Sequence, residues 1–180
     1  MQVSQLQTTH QVQEDFFGLR WFLIFVAVLE GFAAVPDLPL IIDRPNLLFG
    51  PWAVTPTTLL GVFFAKLYVA VHPLLAIAAL ALCVAGNVRG ALVALAAICV
   101  VTWLNFLPML FQDGVRLQGW WSLQWAAAQL VVFPLLAGIT IALAVLTSRY
   151  RLAAALIAIP TMYNMLDTIM FVVNVIATNM

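Results

Sequence analysis

Charged residues are scarce in this sequence of 180 amino acids. Only 8% of the chain is Asp, Glu, Lys or Arg, whereas an ordinary soluble domain has roughly 25%. Hydrophobic residues make up 65% of it, and the mean hydropathy is +1.09. This composition excludes a soluble domain, because such a domain must present a largely polar exterior to water. We therefore predict an integral membrane protein.

The sequence also lacks the motifs that name a reaction. It contains no P-loop, GxSxG, HExxH or GxGxxG pattern. Its two cysteines, Cys83 and Cys99, form no CxxC pair and lie in apolar stretches, so we interpret them as small buried hydrophobic residues. No polybasic run is present, which argues against a nucleic acid partner and leaves membrane lipid as the expected surroundings.

Five apolar segments are long enough to cross a bilayer, which takes about 20 helical residues. We predict an all-α, polytopic bundle of five transmembrane helices in a single domain. Residues 1–17 contain no Lys or Arg, so they are predicted to form a polar cytoplasmic tail rather than a signal peptide. Residues 37–56 are proline-rich but too apolar for a free loop, and we expect an interfacial segment. The predicted spans are residues 19–36, 57–85, 91–111, 119–146 and 152–178.

The arginines favour one orientation of this bundle. With five spans, four arginines lie on one side of the membrane and two on the other. The positive-inside rule then puts the N-terminus in the cytoplasm and the C-terminus outside, and we expect the bacterial inner (cytoplasmic) membrane as the location. The four are Arg20, Arg89, Arg149 and Arg151, and the two are Arg44 and Arg116.

Three ionisable residues interrupt the predicted spans, namely Glu30, Lys66 and Asp167. A charge at bilayer depth costs about 2.5–3.5 kcal/mol on insertion scales, so each needs a partner or water. The helical rise puts Glu30 about 9 Å below the outer end of its span, and Lys66 and Asp167 about 13–16 Å below theirs. We predict that Lys66 pairs with Glu30 or with Asp167.

Polar stripes on the predicted helices indicate a shared site. Residues three and four apart share a helix face, and Asn164, Asp167, Phe171 and Asn174 follow one another by three, four and three residues. We hypothesise that such stripes converge on a polar cavity open to the outer side; the alternative is a closed network that only joins the helices. The predicted ligand-binding residues are Glu30, Lys66, Asn105, Gln129, Asn164 and Asp167, with Trp103 and Trp125 as apolar walls.

His72 is a separate candidate near the middle of the second span, one turn from Tyr68. It follows Lys66 by six residues, which turns it about 120° around the helix, so we expect it to stand apart from the acids. A membrane histidine can be the axial ligand of a haem or a chlorophyll-type pigment. The alternatives are a hydrogen-bonded structural histidine and a proton-relay role.

Three functions fit these features. The first is binding or transport of a small amphipathic or lipid-like molecule in the cavity. The second is an accessory subunit of a larger bioenergetic or photosynthetic complex, with His72 holding a pigment and small-residue faces contacting other membrane subunits or a second copy of the chain. The third is a membrane enzyme with Glu30 or Asp167 as acid or base, ranked last because no further catalytic group joins them.

Overall fold

The computed structural model describes residues 2–35, 42, 56–113, 120–147 and 149–178. All the elements in these ranges are helical. Helix α4 comprises residues 120–147, in which π-helical turns at Ala128–Val132 and Leu143–Thr147 interrupt an α-helix, and the backbone stays right-handed at Ala127 and Phe133. The other helices are α1 (Gln2–Ala34), α2 (Pro56–Val84), α3 (Val88–Asp113) and α5 (Tyr150–Thr178).

Four of these helices are long and apolar enough to cross a membrane. The candidate spans are Phe17–Ala34, Gly61–Val84, Val88–Leu107 and Gln124–Leu146, with mean hydropathies between 1.7 and 2.4. The predicted all-helical membrane bundle is therefore confirmed at this level. The fifth predicted span coincides with the 29-residue helix α5, and its crossing of the bilayer stays a prediction.

The residues predicted to form a polar tail are helical, because α1 begins at Gln2 rather than near residue 19; their place in the cytoplasm stays a prediction. Residues 2–17 contain neither glycine nor proline, so nothing in them interrupts a helix that continues into the apolar part of α1. Most of the proline-rich segment predicted at the interface lies outside the described residues.

A compact turn reverses the chain between α2 and α3. Gly86 has φ +77°, a left-handed conformation that costs a residue with a side chain about 1–2 kcal/mol. Its N–H donates to the carbonyl of Cys83, and the N–H of Asn87 donates to that of Leu82, which is the hydrogen-bond pattern of a Schellman motif. The Asn87 side chain then accepts a hydrogen bond from the N–H of Gly90 at 2.9 Å and so caps α3.

Helix α3 is the centre of the bundle and contacts each of the other four helices, most extensively α2. Helices α3 and α4 are antiparallel, since Cys99 contacts Phe133 and Phe106 contacts Trp125. Small side chains such as the fully buried Ala91 and Ala96 let the neighbouring backbones approach closely.

One end of the bundle carries four arginines. The guanidinium of Arg20 on α1 donates to the carbonyl of Val84 at the end of α2, at 2.5 Å. Arg89 lies in the first turn of α3, and Arg149 and Arg151 lie where α4 passes into α5. Since α2, α3 and α4 alternate in direction, all four arginines share this end, which we call the arginine end.

Candidate functional site

The carboxylate of Glu30 lies inside the bundle, between α1, α2 and α5. Glu30 is only 7% exposed. The hydroxyl of Thr161 on α5 donates to Glu30 Oε1 at 2.5 Å, and His72 Nε2 on α2 lies 3.4 Å from Glu30 Oε2. Each oxygen of this carboxylate is therefore held by a side chain from a different helix.

These contacts lie several helical turns from the arginine end. Glu30 follows Arg20 by ten residues and His72 precedes Val84 by twelve, so both lie about 15–18 Å from the arginine end. A hydrocarbon core is about 30 Å thick, and the predicted depth of Glu30, about 9 Å below the outer end of its span, stays a prediction. An ionised carboxylate within such a core costs about 2.5–3.5 kcal/mol, and the hydroxyl of Thr161 that donates to it offsets part of that cost.

The expectation that His72 stands apart from the acids is wrong. The angle of 120° separates His72 from Lys66 around α2 and says nothing about residues on other helices. Glu30 contacts His72 from α1. The histidine is 2% exposed, and its ring lies against that of Tyr68, with centroids 4.8 Å apart and planes 30° from parallel.

The surroundings of His72 do not fit the predicted haem or pigment ligand. An axial ligand must turn a ring nitrogen toward the metal and leave a planar space for the macrocycle. Here Nε2 faces Glu30, Tyr68 covers the ring, and the residue is almost fully enclosed. We derive no function through such a group.

A second polar contact joins α4 to α5. The side-chain amide of Gln129, which is buried, donates to Asn164 Oδ1 at 3.1 Å. Asn164 follows Thr161 by three residues, so the two lie on the same face of α5. Sequence reasoning missed Thr161, although it shares a face with Asn164 and lies one turn nearer the arginine end.

The π-helical turn that carries Gln129 is held by donors on α3. Pro134 has no N–H and cannot donate to the carbonyl of Leu130 four residues earlier. The indole N–H of Trp103 donates to that carbonyl at 3.2 Å, and the thiol of Cys99, one turn away on α3, lies 3.4 Å from the carbonyl of Phe133. Trp103 therefore has a structural role, while its role as the wall of a ligand site stays a prediction.

Asn105 and Trp125 occupy the ends of α3 and α4 that lie away from the arginine end. Both are half-buried. Trp125 packs edge-on against Phe106, with ring centroids 4.7 Å apart and planes at 81°. This contact explains the position of Trp125 without a ligand, and no described contact joins either residue to Glu30.

The predicted partners of Lys66 are untested. Lys66 is half-buried on α2, six residues from His72 and therefore about 9 Å farther from the arginine end. Asp167 lies on α5, but its side chain is outside the described residues. Pairing of Lys66 with Glu30 or Asp167 stays a prediction.

The described residues thus bring the predicted site residues together in two groups, Glu30 with His72 and Gln129 with Asn164. The first group can hold a proton or a small cation, because it contains a buried carboxylate beside an imidazole. The second group offers only neutral amides. No protein-family model, no curated protein and no solved structure matches the chain. The function is therefore inferred from the geometry of these two groups.

Proposed function

We propose that this protein binds or transports a small amphipathic or lipid-like molecule at a polar cavity that opens to the outer side of the membrane. The observation that carries the proposal is the buried Glu30 carboxylate, held at mid-bundle by His72 and Thr161. Neutral amides such as those of Gln129 and Asn164 join helices without burying a charge. A carboxylate at this depth is therefore better explained by a charged ligand than by helix association alone.

The proposal includes five spans, with the N-terminus in the cytoplasm and the C-terminus outside. Its fifth span is α5, whose 29 residues extend over about 43 Å and exceed the thickness of a bilayer core. The arginine end supports this orientation, because positively charged residues concentrate on the cytoplasmic side. The bacterial inner membrane is the location that we propose.

The polar groups of α5 support entry from the outer side. Beyond Thr161, polar residues recur on α5 at Asn164 and then at Asp167, each about one turn farther from the arginine end. Lys66 lies displaced in the same direction on α2. In the proposed site, Glu30 attracts the polar head of the molecule, and Trp103 and Trp125 contribute apolar surface.

The test uses tetraphenylphosphonium, a small amphipathic cation, as the probe for protein in lipid nanodiscs. Two opposite charges about 4 Å apart attract by about 4 kcal/mol at an effective dielectric constant near 20, and dehydration of the cation offsets part of this. We expect Glu30→Gln to weaken binding at least tenfold, which is about 1.4 kcal/mol. Glu14→Gln, a change of the chain's other glutamate, is the matched control and should bind like the wild type.

Equal affinity of both variants would refute the role of Glu30. Native mass spectrometry of gently purified protein then separates the remaining functions. A co-purifying small molecule or lipid supports the binding function. Stoichiometric partner proteins instead support an accessory subunit of a larger complex.

A further inference from the structure

Glu30 and His72 form a carboxylate–imidazole pair in the interior of the bundle, with Nε2 and Oε2 3.4 Å apart. From this geometry we infer that the pair is a proton-binding site. Without an added proton, an ionised Glu30 and a neutral His72 carry one net negative charge. One added proton turns the pair into an imidazolium and a carboxylate with no net charge, which a low-dielectric interior favours.

The contacts of Glu30 decide where the added proton binds. Thr161 already donates to Oε1, and the tautomer of His72 with a proton on Nε2 can donate to Oε2; donors on both oxygens favour the ionised form. The imidazole is the group that accepts the proton. At 3.4 Å the contact is long for a hydrogen bond between neutral groups, and protonation of the ring adds a charge attraction across the same distance.

The helices around the pair supply other titratable groups. Cys99 on α3 is buried and its thiol contacts the carbonyl of Phe133, and a neutral thiol cannot balance a carboxylate. The ammonium group of Lys66 on α2 can balance the carboxylate, and the test therefore includes a variant of Lys66. The groups on the packed helices include Lys66 and Tyr68 on α2, Cys99 on α3, Tyr163 and Asp167 on α5, and Arg20 about 15 Å away on α1; Cys83, Arg89, Tyr150 and Arg151 lie at the arginine end.

Proton binding regulates the proposed site. A cationic ligand is attracted while the pair is negative and is released when the pair takes up a proton, so that proton and ligand exchange at Glu30. This consequence rests on the proposed function. Proton binding itself needs no ligand and is measured separately.

The chain offers a clean measurement, because it contains two histidines, His10 and His72, and two glutamates, Glu14 and Glu30. In a His10→Gln, Glu14→Gln background, all histidine signal comes from His72 and all glutamate signal from Glu30. Nitrogen-15 NMR of histidine-labelled protein in nanodiscs follows the ring between about pH 5 and pH 8. Infrared spectroscopy with carbon-13 glutamate follows the carboxylate in the same samples.

We expect the ring to become imidazolium as the pH falls while Glu30 stays ionised. Adding Glu30→Gln to this background should lower the ratio of imidazolium to imidazole about tenfold or more at the same pH, because the neighbouring negative charge is gone. Lys66→Met should leave the ratio within a factor of about two.

A ring that stays neutral over the whole range, or a ratio that Glu30→Gln does not change, would overturn the inference. A tenfold rise of the ratio in Lys66→Met would also overturn it, since Lys66 would then balance Glu30. If Glu30→Gln does not fold, the titration of the background protein still decides between a ring that titrates and one that does not. Tetraphenylphosphonium that fails to bind while the ring titrates refutes only the proposed function.

Discussion

Thr161→Val tests whether the hydroxyl of Thr161 stabilises the buried carboxylate. Valine keeps the shape of the side chain and removes the donor that lies 2.5 Å from Glu30 Oε1. Hydrogen bonds to charged groups contribute about 1.5–3 kcal/mol in soluble proteins, whereas polar contacts between membrane helices average about 0.6 and reach about 1.7 kcal/mol. Glu30 is 7% exposed and Thr161 3%, so water cannot easily replace the donor. We therefore expect a loss near the upper membrane value, about 1.5 kcal/mol.

The assay is thermal unfolding in detergent. Because each kcal/mol of lost stability lowers Tm by about 2–4 °C, we expect Tm to fall by about 3–6 °C. Thr140→Val is the matched control. Thr140 is completely buried and its hydroxyl has no hydrogen-bond partner among the described residues, so this variant should be neutral or slightly more stable. In a Glu30→Gln background, Thr161→Val should cost clearly less, because the charge is gone. Equal Tm values for the two Thr→Val variants would refute the reasoning.

The remaining predictions concern the backbone. Trp103→Phe should lower the free energy of unfolding by about 1 kcal/mol, and by clearly less in a Pro134→Ala background, where alanine restores an N–H for the carbonyl of Leu130. Thermal unfolding of the wild type, the two single variants and the double variant measures this coupling, and zero coupling contradicts the prediction. Gly86→Ala should cost about 1–2 kcal/mol because of its positive φ, whereas Gly138→Ala, with open space around the added methyl group, should stabilise α4 by about 0.5–1 kcal/mol. Asn87→Ala should cost about 1 kcal/mol through the lost helix cap, and an unchanged Tm would contradict this.

The helices could largely be predicted from the sequence, because each apolar stretch had to reach across a bilayer and clear breaks separate the stretches. The GNVRG turn is an example, since Gly86 and Asn87 are residue types that end one helix and begin the next. The helical course of residues 2–17 was within the same reasoning, because no Gly or Pro in them interrupts a helix that continues into the apolar part of α1.

The candidate site was predictable only in part. The sequence indicated Glu30, Gln129 and Asn164 as polar groups within spans, because charge and amide groups are rare in apolar helices. Thr161 was within reach of the same argument, as it precedes Asn164 by three residues on one face. The contact between Glu30 and His72 could not be predicted in this way, because helical spacing relates His72 only to residues of its own helix, such as Lys66.

The sequence by itself determined the apolar, all-helical class of this protein, the positions of its apolar segments and which side chains share a face, since composition and helical periodicity are local properties of the chain. The tertiary structure decided which faces meet. That depends on how α1, α2 and α5 are rotated about their axes and how they cross, and these angles follow from the packing of small side chains from distant parts of the chain. For this reason Glu30 is found beside His72 and Thr161.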